Sequence, residues 1–437
     1  MKTVSSAWRS RPFRRVWTAG AVAGLGTEIG ELAVPVLAVV TLAASATELS
    51  LVRAALLVPY LLLTLWLGVI VDRHPRRPLL VAADLGRGLL LAVVCGLALA
   101  GWLSIPLLVA AAAVLGSLAV LSNLAEFSFV PQLVEEDQLI DANARITAAQ
   151  SAIGVAGAGA GGVLVQLVTA PFALLLNAAG FLVSGVLLLR LRVVESVPAR
   201  QAGRRSAVRE ARDGVAVLLR NRVLRALLSE ATLWNLGNEI LMLALALLVL
   251  RGYGFGPAAL GLVLMAGGVG AFAGSLLSAR LTARFGYGRS LVAAMLIGNS
   301  APVVALAGAG SASVASLVVL TVGFVLSGLG IGVANSQAVS LRQLAVEPSV
   351  RGRANAGYRL VSWGALSIGA LAGGVLVTAL GPWVAGMLGA ALMALATLPV
   401  ALSPVRRMRR IEEVQEVQDV QNRPSRRAVQ DARRGSA

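Results

Sequence analysis

Gly68-Val69-Ile70-Val71-Asp72-Arg73-His74-Pro75-Arg76-Arg77-Pro78-Leu79-Leu80 is the stretch that decides the fold. One apolar run stops at Val71, a tight cluster of charge follows, and a second apolar run starts at Leu79. A gap this short is a turn between two antiparallel membrane helices, and its arginines hold it on one side of the bilayer. Topology alone explains the arginines. It does not explain Asp72 or Gly68, so the spacing carries more than orientation.

The rest of the chain agrees with a membrane setting. Hydrophobic residues make up 57% of the 437 positions and charged residues 14%, against roughly 25% charged in a soluble domain. Such a chain cannot cover itself with polar surface, and a span needs about 20 apolar residues. The net charge of +17 is almost all arginine, with Lys2 the single lysine. It sits in alternate loops and the two tails, which is the positive-inside pattern and not a nucleic-acid groove. Cys95 is the only cysteine, so no intrachain disulfide forms. The basic start, Met1 to Trp17, leads into a long apolar run without a cleavage site and reads as a retained first helix.

Twelve spans follow from the apolar runs, at about 16–42, 51–71, 79–101, 105–129, 142–168, 171–191, 223–250, 257–281, 289–309, 312–338, 354–379 and 381–403. The expected fold class is all-α integral membrane. Residues 1–191 form an N-terminal six-helix half and 223–403 a C-terminal one. Between them, 192–222 is a basic linker, read as solvated and lying along anionic headgroups. The tail 404–437 is polar, with Ile411, Val414, Val417 and Val420 spaced as in a short surface helix. An even number of spans puts both termini on one side, the cytoplasmic one by the arginine rule. Arg53 and Arg251 are the exceptions among outer positions, and Glu135, Glu136, Asp137 and Asp141 break the trend inside.

The two halves repeat. Leu25-Gly26-Thr27-Glu28-Ile29 returns as Leu236-Gly237-Asn238-Glu239-Ile240, 211 residues on. The glycine run Gly157, Gly161, Gly162 returns as Gly369, Gly373, Gly374, 212 residues on. These small residues let helices pack closely. In the second copy of the opening loop Ala283 stands for Asp72, while Arg284 and Arg289 remain.

Glu28 and Glu31 lie in the first span, with Glu28 roughly 18 Å from its cytoplasmic end. Three residues apart, they share a helix face. A carboxylate in hydrocarbon costs at least about 2.5 kcal/mol, so such residues face a cavity or a partner. The functional reading is proton coupling or binding of a cationic substrate group; the alternative is a structural hydrogen bond. Glu239 is the repeat mate of Glu28 and should reach the same cavity, with Asn235 beside it and Asn335 and Gln337 on its wall. Trp234 and Trp363 are candidates to stack on an aromatic substrate, or simple packing residues. Asp84 and Arg87 read as a local structural ion pair. No Walker motif, metal-ligand cluster or catalytic triad is present, so neither a cofactor nor an enzymatic activity is expected.

The opening stretch resembles the signature loop between helices 2 and 3 of the major facilitator superfamily, Gly-x-x-x-Asp-Arg-x-x-Arg-Arg. Gly68, Asp72, Arg73, Arg76 and Arg77 match it, and Pro75 stands where the family usually has Gly. The resemblance implies two pseudo-symmetric six-helix bundles that rock about a midplane substrate site. It also implies a conformational latch, with Asp72 near Arg353 or Asn355 and Arg73 paired with Glu126. A closer branch is suggested by Pro131-Gln132-Leu133-Val134, Leu139, Ala142-Asn143-Ala144, the glycine run and Asn177-Ala178-Ala179-Gly180-Phe181-Leu182. These are similar to the branch of enterobactin exporters and macrolide efflux proteins, which often carries Asp at the position of Asn177. The resemblance covers about 10–403. It implies a monomeric inner-membrane carrier that exports an amphipathic small molecule, a drug, macrolide or siderophore, in exchange for protons. Rival readings are a proton-coupled importer, a lysophospholipid flippase, or a non-transporting scaffold or sensor. The retained acids and intact loop count against the last.

Overall fold

The computed structural model describes residues 6–135, 138–193, 195, 207–347, 350–411 and 413, without the side chains of Leu65, Asp72, Ile140, Ala207, Val208, Glu210, Ala211, Arg351 and Gly352. Lys2, Glu136, Asp137, most of the linker before Ala207 and the tail from Val414 onward lie outside the described residues.

Fourteen α-helices run through them: α1 (Arg11–Val36), α2 (Ala46–Leu62), α3 (Thr64–Arg73), α4 (Arg76–Leu99), α5 (Ile105–Phe129), α6 (Leu139–Val168), α7 (Ala170–Leu189), α8 (Ala207–Arg220), α9 (Arg222–Leu247), α10 (Pro257–Phe285), α11 (Tyr287–Gly308), α12 (Val314–Leu344), α13 (Arg351–Leu380) and α14 (Pro382–Ala401). Their starts follow from local chemistry. Ser10, Asn221 and Ser313 accept from backbone N–H groups at the starts of α1, α9 and α12. Ser45 and Glu48 form a reciprocal capping box on α2, and proline occupies the first turn of α5, α7, α10 and α14. Both devices satisfy or dispense with the N–H groups a helix leaves unpaired at its start.

Eleven helices among the described residues are long and apolar enough to cross a membrane. The span expected at 51–71 differs: it is two helices, α2 and α3, interrupted at Leu63 (φ −101°, ψ −14°). Pro59 lies one turn earlier, and its missing N–H weakens the helix there. The repeat is visible in the helix bounds. Arg11–Val36 and Arg222–Leu247 are each 26 residues, and each continues into a five-residue π-helical turn, Leu37–Thr41 and Leu248–Gly252. The 30-residue α6 and α13 likewise start 212 residues apart.

Helices α1–α7 pack among themselves, as do α9–α14. The two groups meet along α2 against α13 and α6 against α10. Thr47 Oγ1 lies 3.0 Å from Thr378 Oγ1 at one end of the first seam, and Tyr60 and Trp363 meet edge to face further along it. On the second seam Gly162 packs on Gly261, where a Cβ on Gly162 would come within 2.8 Å of the Gly261 Cα.

The linker is not solvated throughout. Helix α8 packs on the start of α13, with Leu218 fully buried and Gly214 against the Arg353 carbonyl. One face of α8 is apolar (Val215, Leu218) and Arg212 and Arg220 point away, so burying that stripe outweighs solvation of the segment.

Candidate functional site

Three charged side chains from three helices converge where the two groups of helices meet. Arg53 of α2 donates from Nη1 to Glu31 Oε2 of α1 at 2.6 Å. The same guanidinium grips Glu239 of α9 two-pronged, Nε to Oε2 at 3.0 Å and Nη2 to Oε1 at 3.1 Å. Glu239 is 3% exposed. A planar fork on a carboxylate is the strong, oriented form of an ion pair, and arginine keeps its charge there. Glu28, one turn before Glu31, has no hydrogen-bond or ion-pair partner among the described residues. A 320 Å³ cavity is lined by Glu28, Glu31, Arg53 and Glu239 together. With all three carboxylates ionised, one guanidinium leaves two negative charges uncompensated.

A neighbouring 360 Å³ cavity shares Glu31 and Arg53 and is otherwise mostly apolar, with Tyr60, Asn123 and Trp363 on its wall. Arg359 lies over the Trp363 ring at 4.6 Å. A third cavity of 270 Å³ runs from Glu28 past Gln150 to Glu126. Beside it Asp84 binds Arg87 at 2.5 Å and accepts from Ser184 at 2.5 Å, while Arg87 also donates to Ser122 and stacks on Phe181.

The glycines of the two repeated runs seat the acid-bearing turns. A Cβ on Gly157 would come within 2.5 Å of the Glu28 Cβ, and one on Gly369 within 3.0 Å of the Glu239 Cβ. Gly161 and Gly373 face the backbones of Ile29 and Ile240. Gly162 and Gly374 face the other group of helices, at Gly261 and Ser50. Replacing Gly157 with Val should therefore push α6 off α1, at about 1–3 kcal/mol for overpacking. The thermal midpoint and transport should both fall. Gly154→Ala, with open space around the position, should change neither.

Glu239 lines the shared cavity, with both its oxygens held by Arg53. Other expected site residues lie elsewhere. Asn235 donates to the Ser362 carbonyl at 2.6 Å, tying α9 to α13. Asn335 is exposed on α12. Gln337 donates to Thr282 and Ser290 and is buried away from the charged cluster. In the signature loop Gly68 has open space around it and Arg73 is exposed. Among the described residues no ion pair joins Arg73 to Glu126. The Asp72 side chain is outside the described set. Arg77 donates to the carbonyls of Leu188 and Leu189, and Glu195 accepts from the backbone N–H groups of Arg76 and Arg77, so this end of the loop is stapled to the end of α7.

Arg53 is the member of this charged cluster that sequence reasoning missed. It read as a topological exception near the outer end of a span. The usable signal was its type: an arginine inside an apolar run, in a chain with acids in other spans, pairs with one of them.

The family model that matches this chain, and the relative below, are of membrane transporters and not of enzymes. Residues 3–436 match the family of transmembrane secretion effectors, and the chain belongs to that family within the major facilitator superfamily. It is 29% identical over 294 residues to an uncharacterized MFS-type transporter, y4rN, of Sinorhizobium fredii, covering 66% of this chain and 70% of that one. In fold it is similar to a bacterial homologue of the iron transporter ferroportin in an inward-facing state (TM-score 0.69, 21% identity, 90% and 98% of the two chains). It is similarly close to a mutant of the nucleoside transporter NupG (TM-score 0.69, 12% identity, 90% and 99%).

Proposed function

We propose that the chain is a secondary active exporter that moves an amphipathic small molecule, of the drug, macrolide or siderophore kind, in exchange for protons. Two six-helix halves, 1–191 and 223–403, rock against each other, with α2 and α3 counted together as one broken span. The linker 192–222 and tail 404–437 lie with both termini on the cytoplasmic side of the inner membrane, following the arginine rule. A monomer suffices, since both halves of the cavity come from one chain.

The observation that carries this reading is the shared cavity of Glu28, Glu31, Arg53 and Glu239. Excess carboxylate at a seam between halves takes up protons or a cationic group, and either changes how tightly Arg53 holds the halves together. The adjoining apolar cavity, with the Tyr60 and Trp363 rings, offers room for the uncharged part of an amphipathic molecule. The seam contacts from Thr47–Thr378 and Gly162–Gly261 inward support a state closed on the outer face. In the same reading Arg73, exposed here, pairs with Glu126 only in the outward-facing state.

The test is efflux of a fluorescent amphipathic cation in everted vesicles. Wild type should accumulate it when the proton gradient is applied, and Glu28→Gln/Glu31→Gln should lose that at normal expression. Equal accumulation by the double variant would move coupling away from these acids.

A further inference from the structure

The chain segment after α14 is strapped across the turn between α10 and α11. Tyr287 N–H donates to the Arg409 carbonyl at 3.0 Å and Gly288 N–H to the Met408 carbonyl at 2.8 Å. Val405 and Met408 are buried under the strap, at 0% and 3% exposed. Gly288 makes room for it, since a Cβ there would run into the Val405 carbonyl. With those anchors fixed, the residues between and after them point outward. They are Arg406, Arg407, Arg409 and Arg410, all exposed.

Two clefts open beside the strap. The first, 710 Å³, lies between the start of α9 and the end of α14, and Arg222, Arg225, Arg406 and Arg407 line it with Ser229. The second, 1010 Å³, lies at the α10–α11 turn, and Arg284, Arg289 and Arg406 to Arg410 surround it. Arg406 and Arg407 belong to both. Among the described residues none of these arginines forms an ion pair. The nearby Glu413 spends its oxygens on the backbone N–H groups of Arg409 and Arg410. Leu402, 82% exposed, and Phe285, 53% exposed, stand beside the clefts as apolar neighbours.

We infer that this pair of clefts is a binding site for an anionic phospholipid headgroup, best filled by one carrying two phosphates. Topology requires only that arginines lie on this side. It does not require them to be fixed by a buried strap around two joined concavities at the edge of the apolar surface. Guanidinium forks match phosphate oxygens, and apolar side chains at the rim suit the acyl chains attached to them. An occupied site would tie α9, α10, α11 and α14 together at one end.

The test uses the full chain purified in detergent and titrated with fluorescent cardiolipin, scored by binding and not by transport. Arg406→Gln/Arg407→Gln should weaken binding about tenfold or more. The matched charge loss Arg209→Gln/Arg212→Gln, on α8, should leave it nearly unchanged. Sodium pyrophosphate should not displace the lipid at equal concentration. Should the first variant unfold, Arg222→Gln/Arg225→Gln, on the far wall of the first cleft, carries the same expectation. Wild-type binding by the cleft variants, or an equal loss from the α8 pair, overturns the site. Equal displacement by pyrophosphate makes it a site for free phosphate and overturns the lipid assignment.

Discussion

Arg53→Ala should abolish transport and destabilise the protein. The substitution leaves Glu239, 3% exposed, facing Glu31 with no counter-charge at the seam. Removing one partner of a buried ion pair costs about 3–5 kcal/mol, because the other charge stays buried. The thermal midpoint in detergent should fall clearly, and initial efflux rates should drop about tenfold or more. Arg53→Lys should recover part of both, since an ammonium holds the charge but cannot grip two oxygens in one plane. A second variant separates stability from mechanism. Arg53→Met/Glu239→Met replaces the pair with apolar volume, which is often neutral for stability. It should restore the midpoint and leave transport lost. Wild-type transport by the methionine pair would make the ion pair a structural clamp only.

Much of the fold could be read from the residues because the membrane imposes long apolar runs and short charged turns. Expected starts such as 105 and 257 coincide with α5 and α10. Where the reading fell short, the missing information was three-dimensional. The break at Leu63 follows Pro59 by one turn, but Pro302 sits inside α11 without a break, so a proline in an apolar run did not by itself mark it. Helix α8 was hidden because a basic segment looks solvated until a neighbour covers its apolar stripe. The site shows the same limit. Spacing along one helix placed Glu28 and Glu31 on one face, and the 211-residue repeat pointed to Glu239. Which residue Glu239 meets depends on the rotation of α2 about its own axis, and that is set by packing between helices. The roles of Gly157 and Gly369 were legible as close packing. That their partners are the acid-bearing turns themselves was not.

The most direct test of alternating access joins the two halves at the closed end of their seam. Thr47 and Thr378 have hydroxyl oxygens 3.0 Å apart, a separation that sulfur atoms close with small side-chain rotations. The only native thiol, Cys95, is buried, and Cys95→Ala removes it from the experiment. Thr47→Cys/Thr378→Cys should then oxidise readily. If the halves must part along α2 and α13 to release cargo outside, the crosslinked protein should lose nearly all efflux in everted vesicles, and reduction should return it. The reduced variant serves as its own control for folding and expression. Efflux by the fully crosslinked protein at the rate of the reduced one would contradict rocking halves as the transport step.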